Sequence, residues 1–352
     1  MLFSSRFTFA LGAFLSFTVR VAAFPGFIES WEIFKRWKTM TDSIAEADVP
    51  AMTDLTVGDW DNSEKRLTWM CYTLNSQGNL IDTPDGGTVT IDKAELSYPD
   101  PDDPSNTKKE IVVSKRSGTT ADGKSVMYGA KLQKGLDHPN ILPIHHYLEG
   151  RPTTGRRAYG FAIMPLVEEG SVAANLDKYT DQGAVNSAFQ QMLSAVSAVS
   201  AAGMIHHDLK PENFLKDGDT IKLMDFDQCR QVDTTLQMDV GTPSYQSPEI
   251  LIGRDHTTKA DTFSMAMAFL VMSVTDLRDE NTRFQLWKDL IEPSPGRYEN
   301  IAASDVEKIL RERNYGVFNG NDGLLKVIAK AMCSEGERYT PADFETAFSG
   351  AT

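Results

Sequence analysis

A chain of 352 residues with 41% apolar and 24% charged side chains has a globular balance, and is long enough for two compact domains or one two-lobed domain with extensions. Its formal charge of −14 argues against a broad basic surface for nucleic acid, and reads first as solubility and second as a match for a basic peptide. Three cysteines, Cys71, Cys229 and Cys333, are too few for a disulfide framework, which alone fits a reducing compartment.

The N-terminus points the other way. Arg6, the apolar run over residues 7–17 and the small residues Val21-Ala22-Ala23 predict a secretory signal peptide over residues 1–23, cut before Phe24, although Arg20 comes late for one. An uncleaved anchor and a mitochondrial presequence are the alternatives. No later apolar run is long enough to span a membrane, so the mature chain is expected to have no membrane span. Phe27, Trp31, Phe34 and Trp37 recur at helical spacing and predict an amphipathic helix, followed by a polar linker; together they form an extension over residues 24–65.

From residue 66 the pattern turns to strands. Leu67, Trp69, Cys71 and Thr73 alternate, and Gly86-Gly87 precedes a second alternating stretch at Val89 and Ile91. Residues 97–106, crowded with Pro, Asp and Ser, predict a turn before a third strand at Ile111-Val112-Val113. Residues 118–135 predict one modest helix and residues 161–166 another strand. The second half is helical, with helices expected over 186–202, 261–273, 284–291, 306–313 and 324–332. A β-rich part over 66–166 followed by a helical part over 167–348 is an α+β arrangement.

The chemistry concentrates at Asp208-Leu209-Lys210-Pro211-Glu212-Asn213. Moving a phosphoryl group off a nucleotide requires neutralised phosphate charge, a carboxylate to position the attacking hydroxyl, and oxygen ligands for Mg²⁺. A loop of this length places Asp208 at the nucleophile, Asn213 on the metal and Lys210 between them. Asp225, after the apolar Leu223-Met224, is a natural second metal ligand. The doublets His145-His146 and His206-His207 lack zinc spacing and read as structural.

The string from His206 to Asn213 resembles the catalytic loop of eukaryotic protein kinases, in its Ser/Thr-specific form. Asp225-Phe226-Asp227 stands where that family has Asp-Phe-Gly. Gly241-Thr242-Pro243-Ser244-Tyr245-Gln246-Ser247-Pro248-Glu249 resembles its substrate-docking loop, Asp261-Thr262-Phe263-Ser264 the start of its buried anchoring helix, and Arg338 the late arginine that pairs with Glu249. Val112-Val113-Ser114-Lys115 and His138-Pro139-Asn140-Ile141 resemble two upstream motifs, in order. The resemblance implies a bilobal kinase-like fold, ATP and Mg²⁺ as cofactors, and a protein substrate. It makes Asp208 the catalytic base and Lys210 the stabiliser of the γ-phosphate. Asn213 and Asp225 would hold Mg²⁺, and Lys115 the α- and β-phosphates. Val89, Val113 and Leu215 would sandwich the adenine beside Met164 and a hinge of Pro165, Leu166 and Val167. Gly87 would meet the phosphates, and Thr242 would hydrogen-bond near Asp208 and Lys210.

Four departures stand out. Two glycines of the phosphate loop are missing, since Ile81-Asp82-Thr83-Pro84-Asp85 occupies that region, and Gly86-Gly87 also reads as a hairpin turn. The helix glutamate that pairs with the strand lysine is replaced at about Gly129, leaving Lys115 without its expected partner unless Asp122 or another group substitutes. His207 replaces an arginine that receives an activating phosphate, so activation by phosphorylation at Thr234 or Thr235 is not expected. Asp227 replaces a glycine, either adding a metal ligand or impairing nucleotide binding. The sequence thus reads as an active, secreted Ser/Thr kinase. The alternatives are a catalytically impaired pseudokinase acting by binding and, on the strength of Asp-Phe-Asp, a small-molecule phosphotransferase.

Overall fold

The computed structural model describes residue 52 and residues 55–81, 89–118, 120–153, 158–232, 241–251, 253–291 and 301–352. The segment read as a signal peptide, the helix expected around Trp31, Gly86-Gly87 and both Thr234 and Thr235 lie outside the described residues.

The first part is a closed barrel of seven strands. Its strands are β1 (Val57–Asp61), β2 (Arg66–Trp69), β3 (Tyr72–Ile81), β4 (Val89–Pro99), β5 (Thr107–Ser117), β6 (His146–Pro152) and β7 (Tyr159–Pro165), in the order β1-β2-β3-β4-β5-β7-β6. Alternation puts Trp60, Leu67, Trp69, Leu74, Leu96 and Phe161 inside. The interior also holds an ion pair. Arg116 Nε lies 3.3 Å from the buried Asp92 carboxylate, and its guanidinium lies 5.2 Å from the centroid of the Trp60 ring.

The pattern over residues 67–73 is two strands rather than one, because the chain reverses at Met70, whose φ is 49°. The stretch read as linker contains β1, which pairs in parallel with β6 from Val57–Glu149 to Trp60–Pro152 and so closes the barrel. The turn after β4 is narrower than expected. Asp100 N–H donates to Asn106 O, and Asp103 caps Ser105 and Asn106 with its side chain.

Helix α1 (Thr120–Lys134) packs on β5, β6 and β7. The second part is built on α2 (Gln182–Ala201), started by Asp181 accepting from Ala184 N–H at 2.8 Å and followed by Gly203 at φ 71°. Then come α3 (Pro248–Leu251), α4 (Lys259–Ser273), α5 (Glu280–Ile291), α6 (Ala303–Arg313), α7 (Asp322–Ala331) and α8 (Pro341–Ala351). Each helix expected within the described residues is present to within a few residues; the short α3 and the closing α8 were not anticipated. Helix α4 is buried along almost its whole length. Phe189 of α2, Phe269 of α4 and Phe348 of α8 meet with ring centroids 4.8–5.2 Å apart, which knits the helical core. Among the described residues no helix is long and apolar enough to cross a membrane.

Candidate active site

The catalytic loop leaves β8 (Met204–Ile205), which pairs with β9 (Arg230–Gln231). Asp261, in the first turn of α4, fixes it: its carboxylate accepts from His206 N–H at 2.7 Å and from His207 N–H at 3.0 Å. Burial pushes the Asp261 carboxyl up to about 7, against the pull of those two amides. The His206 ring donates from Nε2 to Met224 O at 3.2 Å, and its Nδ1 accepts the Asp208 N–H at 3.4 Å. One tautomer serves both contacts. His207 takes a left-handed φ of 69°. Its ring is buried against Gln228 O and His256 Nε2, and burial together with His256 holds its pKa well below the ordinary value. A buried neutral ring offers no charge to a phosphate, as the sequence leads one to expect.

The loop's functional groups converge on one carboxylate. Asp208 Oδ1 accepts from the Thr242 hydroxyl at 2.8 Å. Oδ2 accepts from Asn213 Nδ2 at 2.8 Å and lies 3.0 Å from Lys210 Nζ. Lys210 also donates to Thr242 Oγ1, and Asn213 Nδ2 donates to Asp208 O at 2.7 Å. Burial works against the Lys210 charge, but Asp208 outweighs it and raises the pKa. Thr242 therefore sits with the catalytic pair, not along the cleft wall. It is delivered there by Gly241 at φ 99°, where a Cβ would stand 2.3 Å from His207 O.

A second cluster forms around Lys115 of β5. Its Nζ lies 2.7 Å from Asp225 Oδ1 and 2.8 Å from Asp227 Oδ2. Burial alone would lower the Lys115 pKa; the two carboxylates outweigh it and raise it. Burial raises the Asp225 carboxyl, but Lys115 prevails and holds it below its ordinary value. Asp227 goes up to about 6, pushed by burial and by the charge of Asp225. Asp225 itself is left-handed, with φ 63°. Met224 N–H donates to Asn213 O at 2.9 Å, which ties the two clusters together.

Between the two parts lies a cleft of about 630 Å³. Val113, Lys115, Met164, Leu166, Leu215 and Asp225 line it, as expected. Val89 does not: it pairs with Ser117 at the outer end of β4, and the roof is formed by Leu80, Ile91 and Lys93. Gly87 lies outside the described residues. The docking segment is anchored as expected, with Arg338 bidentate on Glu249 and also donating to Cys333 O and Lys259 O. Burial opposes the Glu249 charge, and Arg338 overrides it to lower the pKa.

These residues suit a magnesium nucleotide. The cleft has the size and the largely apolar lining that a flat heterocycle needs. Both amide hydrogens of Asn213 go to Asp208, so the side chain has its carbonyl oxygen left to offer, a hard donor. Among the described residues no group of three His, Cys, Asp or Glu can hold a metal alone. Mg²⁺ takes few protein ligands and completes its shell with phosphates and water, and Asn213 and Asp225 are the residues that would hold it. Sequence reasoning missed Asp227 as the partner of Lys115, and Ile91 and Lys93 as the roof. The one signal was that Asp227 and Gly129 both depart from the family pattern.

A two-part fold with a basic residue and two acids facing an apolar cleft, beside an Asp-Lys-Asn-Thr cluster, is the arrangement that the sequence motifs lead one to expect of a protein kinase domain. The protein kinase domain family model matches residues 104–293, more than half of the chain, and the chain belongs to this family, with its bilobal fold. It is 30% identical over 166 residues to CBL-interacting protein kinase 4 of Oryza sativa subsp. japonica, covering 44% of this chain and 35% of the relative. It is 31% identical over 186 residues to a probable serine/threonine-protein kinase of Dictyostelium discoideum, covering 50% and 21%. It is 30% identical over 156 residues to sperm motility kinase 2A of Mus musculus, covering 42% and 30%. The matched stretch thus spans about a third or less of each relative's own length.

Proposed function

We propose that this chain transfers the γ-phosphate of ATP to serine or threonine hydroxyls of a protein substrate. The observation that carries the reading is the assembly of Asp208, Lys210, Asn213 and Thr242 around one carboxylate. Asp208 would accept the hydroxyl proton at a carboxylate oxygen, held in place by Thr242 and Asn213. Lys210 would balance charge on the transferred group. Bound Mg²⁺, held by Asn213 and Asp225, would neutralise phosphate charge, and Lys115 would hold the phosphates from the roof side. The walls formed by Val113, Met164, Leu166 and Leu215 would exclude water from the adenine.

A protein rather than a small alcohol as acceptor is supported by the anchored segment from Gly241 to Glu249, with Arg338 behind it. The reading of an impaired, binding-only relative leaned on the degenerate glycine loop and the absent helix glutamate; the pairing of Lys115 with Asp227 weakens the second ground, while the first lies outside the described residues. Secretion stays part of the proposal on residues 1–23 alone, and N-terminal sequencing that begins at Met1 in a cytosolic pool would end it. The functional test is incubation of the protein with Mg-ATP and a mixed set of proteins and small alcohols. Label on protein serine and threonine is expected. Label on alcohols alone would make it a small-molecule phosphotransferase, and no transfer with no ATP binding would remove the enzyme reading.

A further inference from the structure

Lys115 has three N–H donors, and in this structure two of them meet Asp225 and Asp227. Asp225 is spoken for by the metal in the proposed reaction. That leaves Asp227 as the anion that stays with the lysine when nucleotide binds. Its backbone is pinned for the task. Ser125 Oγ of α1 donates to Asp227 O at 2.7 Å, and Arg230 Nη1 donates to the same oxygen at 3.0 Å.

Helix α1 reaches that turn because position 129 is glycine. A Cβ there would stand 2.5 Å from Phe226 C and O and 2.8 Å from Asp227 N, so no glutamate fits. The two departures from the family pattern are therefore one reciprocal exchange. The carboxylate has moved from the helix to the turn after Phe226, and the glycine has moved from the turn to the helix. We infer that Asp227 is the positioning residue for Lys115, orienting its ammonium toward nucleotide phosphates from the turn after Phe226 in place of the family's helix glutamate, and that it is not a metal ligand. This deepens the proposed function and rests on it.

The test is calorimetric binding of Mg-ATP and of adenosine to the wild-type protein, Asp227→Asn, Asp227→Glu, Lys115→Met and the double variant Lys115→Met/Asp227→Asn. Adenosine carries no phosphate, so it reports the integrity of the cleft. Asp227→Asn is expected to weaken ATP about 10-fold or more, with adenosine affinity unchanged within about 2-fold. The double variant should bind ATP no worse than Lys115→Met alone, because the carboxylate acts through the lysine. Asp227→Glu should recover part of the loss. An equal loss of adenosine affinity would reduce Asp227 to a structural role. A loss that is additive with Lys115→Met, or that raised Mg²⁺ restores, would make it a metal ligand. ATP affinity unchanged in Asp227→Asn would overturn the inference while leaving the kinase reading standing; a wild-type protein that binds no ATP would overturn both.

Discussion

Asp208 keeps both carboxylate oxygens occupied, Oδ1 by Thr242 and Oδ2 by Asn213 and Lys210. Such a carboxylate cannot swing away from the acceptor hydroxyl, which is what positioning for in-line transfer demands. Thr242→Val removes the donor to Oδ1 and the acceptor for Lys210 while keeping the volume. The expected outcome in steady-state kinetics is a kcat lowered about 10-fold or more, with KM for ATP nearly unchanged. The residues of this cluster were legible in the sequence, because they lie within short, ordered motifs. Asp227 was not legible in its role. Ser125 and Asp227 are 102 residues apart, and only the folded contact between α1 and the turn shows why a glycine and an aspartate have traded places.

The helices carry the site by their ends. Asp261 starts α4 and holds the catalytic loop through two amides, with its carboxyl raised from 3.8 to about 7. The folded protein binds the Asp261 proton more tightly than the unfolded chain does. Its contribution to stability is therefore full below about pH 4 and is lost as pH rises toward 7. Urea melts of Asp261→Asn against wild type should show this component of the pH slope missing from the variant between those values. At the other end of the helical part, Arg338 and Glu249 form a buried bidentate pair. Truncating Arg338→Ala strands a buried carboxylate and should cost about 3–5 kcal/mol in a denaturant melt. The buried helix α4 could be read from local pattern, whereas the short α3 that carries Glu249 and the closing α8 were not. Strand β1 could not: it is five residues long, and its parallel partner β6 lies some ninety residues away in sequence. The eleven-residue β4 and β5 were read short because charged residues such as Lys93 and Lys109 interrupt their apolar pattern.

At the scale of the molecule, the barrel and the helical part meet at the cleft, and β5 links them functionally. Its inward Val112 packs in the barrel, while Val113 and Lys115 face the cleft. Trp60 closes the barrel against Tyr159 and Phe161 and lies under Arg116. Trp60→Ala should destabilise the fold by about 3–5 kcal/mol in a thermal or urea melt. The two-part architecture was legible from the switch between strand and helix periodicity, whereas barrel closure was not, since it joins β1, in a stretch that reads as linker, to β6, which was not read as a strand. In the proposed reaction, cleft and catalytic loop meet at phosphoryl transfer through Asp208. The direct measurement is single-turnover transfer of labelled γ-phosphate to protein, comparing wild type with Asp208→Asn at equal ATP occupancy. The expected result is phosphoserine and phosphothreonine from the wild type and a rate lowered at least about 100-fold in the variant. Equal transfer rates in the two proteins, or no transfer from a wild type saturated with Mg-ATP, would contradict it.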